Sequence, residues 1–212
     1  EKDGKGGYGF DGKEFKQAVE YTWEKTGWPQ SDKHPVVNVS WNDAKAYYEW
    51  AAKESKKPIR LLNEAEYEYA NRAGSTTKYF TGDDVESLKD YANIGDKSVN
   101  TKVPTFTTAE FDDGYVFTSP VGAFKPNGFG LYDMTGNVYS WCSDWYDSKL
   151  YEARKSGVPD PKANVSIEQK HMVVRGCSWS DSPVSCRVAY RNGVAPEDRH
   201  FNFGIRVCCA LD

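Results

Sequence analysis

Asn127-Gly128-Phe129-Gly130-Leu131-Tyr132-Asp133-Met134-Thr135-Gly136-Asn137-Val138-Tyr139-Ser140-Trp141 runs from a glycine-punctuated stretch straight into an aromatic one. Glycine is the residue that accepts positive φ or close backbone approach, so Gly128, Gly130 and Gly136 predict turns here. Aromatic and β-branched residues then predict a strand over 138–145. Further strands are predicted downstream at 172–179, 186–191 and 203–209, with Gly- and Pro-rich turns between them. Upstream, residues 75–119 read as loop, rich in Thr, Gly and Asp. Before that, Ser40 with Asp43 caps a helix running to about Glu54, with Ala44, Tyr47, Tyr48 and Ala51 on one face. Asn63 with Glu66 caps a second helix, which stops at Gly74. Residues 35–39 and Ile59-Arg60-Leu61 read as extended, and 13–25 as a loosely periodic helix around Phe15, Val19, Tyr21 and Trp23. The fold class is α+β with high loop content, in one domain over 1–212.

A chain of 212 residues can bury a sizeable core. With 27 basic against 31 acidic residues its net charge is −4, which argues against a dedicated nucleic-acid binder. No run of about 18 apolar residues exists to cross a membrane as a helix. The polar start, Glu1 to Gly7, is neither a signal peptide nor an anchor, so any targeting segment would lie upstream. Five cysteines (Cys142, Cys177, Cys186, Cys208, Cys209) are few for a disulfide scaffold, and their odd number leaves one without an intrachain partner. The sequence holds no HExxH, no phosphate-cradling glycine loop and no nucleophile elbow. His34, His171 and His200 are scattered outside any metal-ligand spacing and read as surface or turn residues.

Six strings in order change that bland reading. They are His34 to Trp41, Arg60 to Ala70 with Arg72-Ala73-Gly74, the Val121 to Trp141 stretch, Arg175 to Trp179, Arg187 to Arg191, and Phe203 to Arg206. Together they resemble the formylglycine-generating-enzyme or sulfatase-modifying-factor domain, from about residue 34 onward. The resemblance implies a C-type-lectin-like fold, poor in regular secondary structure. Trp141, Trp145 and Trp179 are expected in its core. Arg60, Arg175 and Arg206 are expected to pair with acids under the loops.

Enzymes of that family use two cysteines after an R-G-G-S motif to bind copper(I), a soft ion suited to thiolates. The matching positions here are Asp181 and Cys186. An Asp supplies no thiolate, so catalytic residues are expected to be none and the chain is read as not an enzyme. Cys177 stands where the family has Gly, and could meet Cys186 only if its strand bends. An iron-dependent sulfur-transfer branch needs a three-histidine site that is absent from this sequence. The alternative to a binding protein is a formylglycine-generating-type copper oxidase acting on protein cysteine.

A third branch of the family consists of binding proteins diversified by retroelements, which rewrite adenine-containing codons near the C-terminus. The thirty residues from Cys177 to Arg206 contain no Gln, Lys or Met, and only Trp179 and Glu197 fall outside the residue set such mutagenesis yields. The resemblance implies variable, outward-pointing, ligand-binding positions at Cys177, Ser180, Asp181, Ser182, Val184, Ser185, Gly193, Val194, Ala195, His200, Phe201 and Asn202. It also implies a protein or other surface macromolecule as ligand, with no nucleic-acid partner. Display as a cell-surface lipoprotein follows, with membrane contact only through an anchor outside this chain. No cofactor is required. Structural calcium is expected at Asn93, Ile94, Asp113 and Tyr115, which supply side-chain and carbonyl oxygens. A second family site near Gly136-Asn137-Val138 is discounted, because Ser140 replaces its carboxylate.

Overall fold

Ser40 and Asn63 each start a helix by the same device. Both side chains accept a bond from the N–H three residues on, and Asp43 and Glu66 return the bond to the cap N–H. The helices are α1 (Trp41–Ser55) and α2 (Glu64–Arg72), ended by left-handed residues Lys56 and Ala73. In the computed structural model, residues 5–148 and 170–209 are described. Only Ala44 of α1 is buried; Tyr47, expected on its inner face, is half exposed.

The segment expected as a helix over 13–25 is instead the second half of a hairpin, β1 (Gly7–Phe10) with β2 (Phe15–Ala18). Asp11 turns the chain by accepting the N–H groups of Lys13 and Glu14, and Gly12 takes φ +98°. An Asp-Gly pair between apolar residues is a hairpin signal that outweighs weak helical spacing. Residues 35–39 form no strand, because Asn38 adopts φ +58° and holds both the N–H and C=O of Tyr8.

The central sheet has the order β6-β5-β4-β7, with β4 (Tyr139–Trp145) and β5 (Met172–Arg175) antiparallel at its centre. Strand β6 (Asn192–Val194) pairs antiparallel with β5, and β7 (Phe203–Gly204) parallel with β4. Strand β5 ends earlier than expected because Gly176 and Cys177 both take positive φ. The strand predicted at 186–191 is not formed. Val188 N–H bonds to the Lys78 carbonyl and Tyr190 N–H turns back on Arg187. The strand predicted at 203–209 is split, and β8 (Val207–Cys209) crosses to pair with β3 (Ile59–Leu61).

Two cores result. One packs Leu61, Ile94, Trp141 and Val174 around the central sheet. The other is aromatic, with Phe10, Trp28, Trp179 and Phe201 under the hairpin. Trp141 and Trp179 are buried as expected, and Trp145 is partly buried.

Candidate functional site

The hairpin, the start of β5 and the segment after β6 enclose a cleft of about 360 Å³. The hairpin contributes Tyr8 and Gln17, β6 and its extension contribute Gly193, Val194 and Ala195, and His171 and His200 face in. Tyr8 packs on the His200 ring, with centroids 4.6 Å apart. Burial pushes the His200 pKa down, although its Nδ1 lies 2.7 Å from Asn202 Oδ1. His200 is therefore a neutral, partly buried ring rather than a surface residue.

Behind the cleft runs a polar network. Asn202 Nδ2 donates to the hydroxyls of Ser178 (3.1 Å) and Ser180 (3.2 Å). Ser178 in turn donates to Asp181, which also accepts the Tyr139 hydroxyl at 3.0 Å. Burial pushes the Asp181 carboxyl above the usual range. Its backbone carbonyl receives Gly95 N–H at 3.0 Å, and a Cβ on Gly95 would lie 2.5 Å from that oxygen. Asp181 thus serves as an internal tie.

Of the twelve candidate positions, Gly193, Val194, Ala195 and His200 meet at the cleft. Val184 is exposed, while Ser180, Ser182 and Ser185 are half-buried. Cys177, Phe201 and Asn202 are buried, which corrects the expectation that they point outward. Phe201 stacks on Phe15 in the aromatic core, Asn202 serves the polar network, and Cys177 forms a disulfide with Cys186. The bend that this pairing requires is present at Gly176 and Cys177, and the Cα atoms stand 5.0 Å apart. Sequence reading missed Tyr8, Gln17 and His171 as cleft residues. The Asp11-Gly12 turn was the signal that could have placed the first two.

The residues expected to hold calcium also converge. Ile94 N–H and Tyr115 N–H bond to the two carboxylate oxygens of Asp113. Asn93 Oδ1 is buried with no hydrogen-bond partner. Burial, with Asp96 beside it, pushes the Asp113 carboxyl up to about 7. An orphan amide oxygen, in a loop that also carries the buried Asp96 and half-buried Asp113 carboxylates, is the donor chemistry a hard cation takes. Asn93, Asp113 and the carbonyls of Ile94 and Tyr115 would hold it. At the discounted second position, both ends of the Asn137 amide are bonded to the Ser119 backbone. Among the described residues, no group of three His, Cys, Asp or Glu side chains forms a metal cluster.

The architecture is a loop-rich, C-type-lectin-like fold of the formylglycine-generating-enzyme type. The chain belongs to the sulfatase-modifying factor enzyme 1-like domain family, whose model matches residues 9–211, well upstream of the 34 expected from sequence. It is 39% identical over 184 residues to the formylglycine-generating enzyme of Streptomyces coelicolor. That match covers 84% of this chain and 53% of the relative, so the chain spans about half the length of that protein. The structure of PvdO from Pseudomonas aeruginosa superposes with TM-score 0.70 at 35% identity, covering 88% of this chain and 66% of that one. Treponema denticola variable protein 1 superposes with TM-score 0.61 at 24% identity, covering 86% and 75%.

Proposed function

We propose that this domain binds a macromolecular ligand without catalysis, through the cleft between the hairpin and residues 193–200. The observation that carries this reading is the convergence of Gly193, Val194, Ala195 and His200 on one opening, set on rigid supports. The proposal includes retroelement diversification of the half-exposed positions and display at the cell surface through an anchor outside this chain. Its ligand class is a protein or other surface macromolecule. Calcium, held as described above, would contribute rigidity and no chemistry to binding.

The competing reading is a copper oxidase of the formylglycine-generating type, and 39% identity to such an enzyme is its support. Against it, Asp181 is a hard, internally bonded carboxylate, and Cys186 is joined to Cys177. The separating assay incubates the protein with Cu(I), oxygen and a sulfatase-type cysteine peptide, then weighs the peptide. No conversion above a metal-free control is expected; conversion overturns the binding reading. The diversification clause is tested in the gene neighbourhood. It requires a near-copy of the last third, differing at adenines in the codons for the variable positions, beside a reverse transcriptase. Absence of that copy sinks this clause.

A further inference from the structure

Most of the described arginines pair with an acid, whereas Arg206, like Arg187, does not. Arg175 and Arg191 both reach Glu64, Arg175 also pairs with Glu68, and Arg60 pairs with Glu66 at 2.7 Å. Arg206 was expected to pair likewise. Instead its Nη2 donates only to backbone carbonyls, of Tyr132 at 2.7 Å and Asp133 at 3.3 Å. Among the described residues it has no carboxylate in ion-pair contact, its Nη1 has no acceptor, and its Nε is buried without one. The Asp133 carboxylate stands nearby, yet its Oδ2 accepts Gly122 N–H at 2.7 Å. Ser140, which carries no charge, lines the same cavity of about 540 Å³.

That cavity continues into a second space. Pro35, Val121, Ile205 and Val207 line both it and a groove of about 930 Å³ walled by Trp23, Val36 and Tyr47. Those three side chains are 50%, 46% and 48% exposed, so the groove presents apolar surface to water. Most of its polar groups are already committed, the exposed Asn42 side chain apart. Asn38 holds the Tyr8 backbone, and Asp43 binds Ser40 and Arg199. A peptide backbone laid there would find few partners, whereas an alkyl chain needs none.

We propose that Arg206 and this groove form a second site, separate from the His200 cleft, for an aliphatic carboxylate. The carboxylate takes the guanidinium Nη1, which has no acceptor and, unlike Nε, is not among the buried orphan atoms. The chain runs past Val121, Ile205 and Val207 toward Trp23 and Tyr47.

The test is calorimetric titration of the full chain with octanoate, butyrate, octanol and octylamine. Octanoate is expected to bind saturably, and octanol and octylamine at least about tenfold more weakly. Each methylene lost should weaken binding about three- to fourfold, putting butyrate on the order of a hundredfold below octanoate. Arg206→Gln should lose at least about tenfold of octanoate affinity while keeping its circular-dichroism spectrum. Ser140→Glu supplies an internal carboxylate and should also abolish binding, which decides the matter if Arg206→Gln fails to fold. No saturable octanoate binding, equal binding of octanol, or unchanged affinity in the folded variants overturns the proposal.

Discussion

Loop 177–186 is held from within, whereas residues 192–198 are held along one edge, and Arg199 and His200 beyond them are tied by Asp43 and by Asn38 N–H. The first has the Cys177–Cys186 disulfide, the Gly95 and Tyr139 bonds to Asp181, and the Tyr79 hydroxyl on the Pro183 carbonyl. The second has a three-residue pairing with β5, the Asn42 bond to the Pro196 carbonyl, and a turn closed by Asp198 N–H on Ala195. A position whose side chain takes part in a buried network cannot change alone, because each replacement strands a partner. A position on an open edge can. Within both stretches the candidate positions therefore divide into supports and contacts.

The sharpest contrast is with the aromatic core beneath both stretches. Trp179 packs against Phe15, Trp28, Phe117 and Phe201. Trp179→Ala or Trp141→Ala should cost about 3–5 kcal/mol in denaturant unfolding, as for a large buried aromatic. A loss similar to that of an edge substitution would mean that support and contact have been confused.

Next in size is the disulfide. Its nine-residue separation predicts that replacing both Cys177 and Cys186 by Ser lowers stability by about 2–3 kcal/mol through loop-closure entropy. Reducing agent should shift the wild type and leave the variant unmoved. Cys142 is fully buried and its thiol is pushed well up by burial, so in the native state it should resist alkylation. An unchanged unfolding midpoint on reduction would remove the covalent brace from the comparison.

What the sequence disclosed follows the same division. The caps at Ser40 and Asn63, the strand at 138–145 and the buried tryptophans were legible, because each depends on local chemistry or on one strong pattern. The hairpin was misread because 13–25 offers weak helical spacing and its Asp11-Gly12 turn lies just upstream. The break after Arg175 could not be foreseen at Cys177, a non-glycine residue at φ +54° that the disulfide helps to hold. Nor could the burial of Phe201 and Asn202, whose partners Phe15 and Ser178 are remote in sequence. Positions taken from a resemblance carried no information about which side of the surface they occupy.

A smaller effect tests how the 93–115 loop supports loop 177–186 through Gly95. The Asp113 carboxyl rises from 3.8 to about 7, so its ionisation opposes folding. Its contribution is fully present below about 3.8 and is lost as pH rises through about 7. Without calcium, Asp113→Asn should flatten that fall and stabilise the protein above pH 7. With millimolar calcium the order should reverse, since the wild type gains a bound cation and the variant does not. Melting curves at several pH values, with calcium and with chelator, check both signs. Calcium-independent curves would dispose of the metal site.

The smallest effects belong to the exposed contacts of the two stretches. Val184 is 62% exposed, and Val194 and Ala195 line the cleft without buried polar bonds. Ser replacements at Val184 and Ala195, alone or together, should change stability by under about 0.5 kcal/mol. Gly193 is the internal check, because it is on the same edge but closed above. A Cβ there would lie 2.5 Å from the Tyr146 ring. That ring also lies under the Arg191 guanidinium, 5.0 Å from its centroid, so moving it disturbs a second contact. Gly193→Ala should therefore cost clearly more than either neighbour, and Tyr146→Ala in the same chain should recover part of the loss. If Gly193→Ala is as silent as Ala195→Ser, the ring gives way freely and Gly193 is a contact like the others. If Ala195→Ser is costly as well, segment 192–198 is a support too, and the cleft loses its claim to be the variable face.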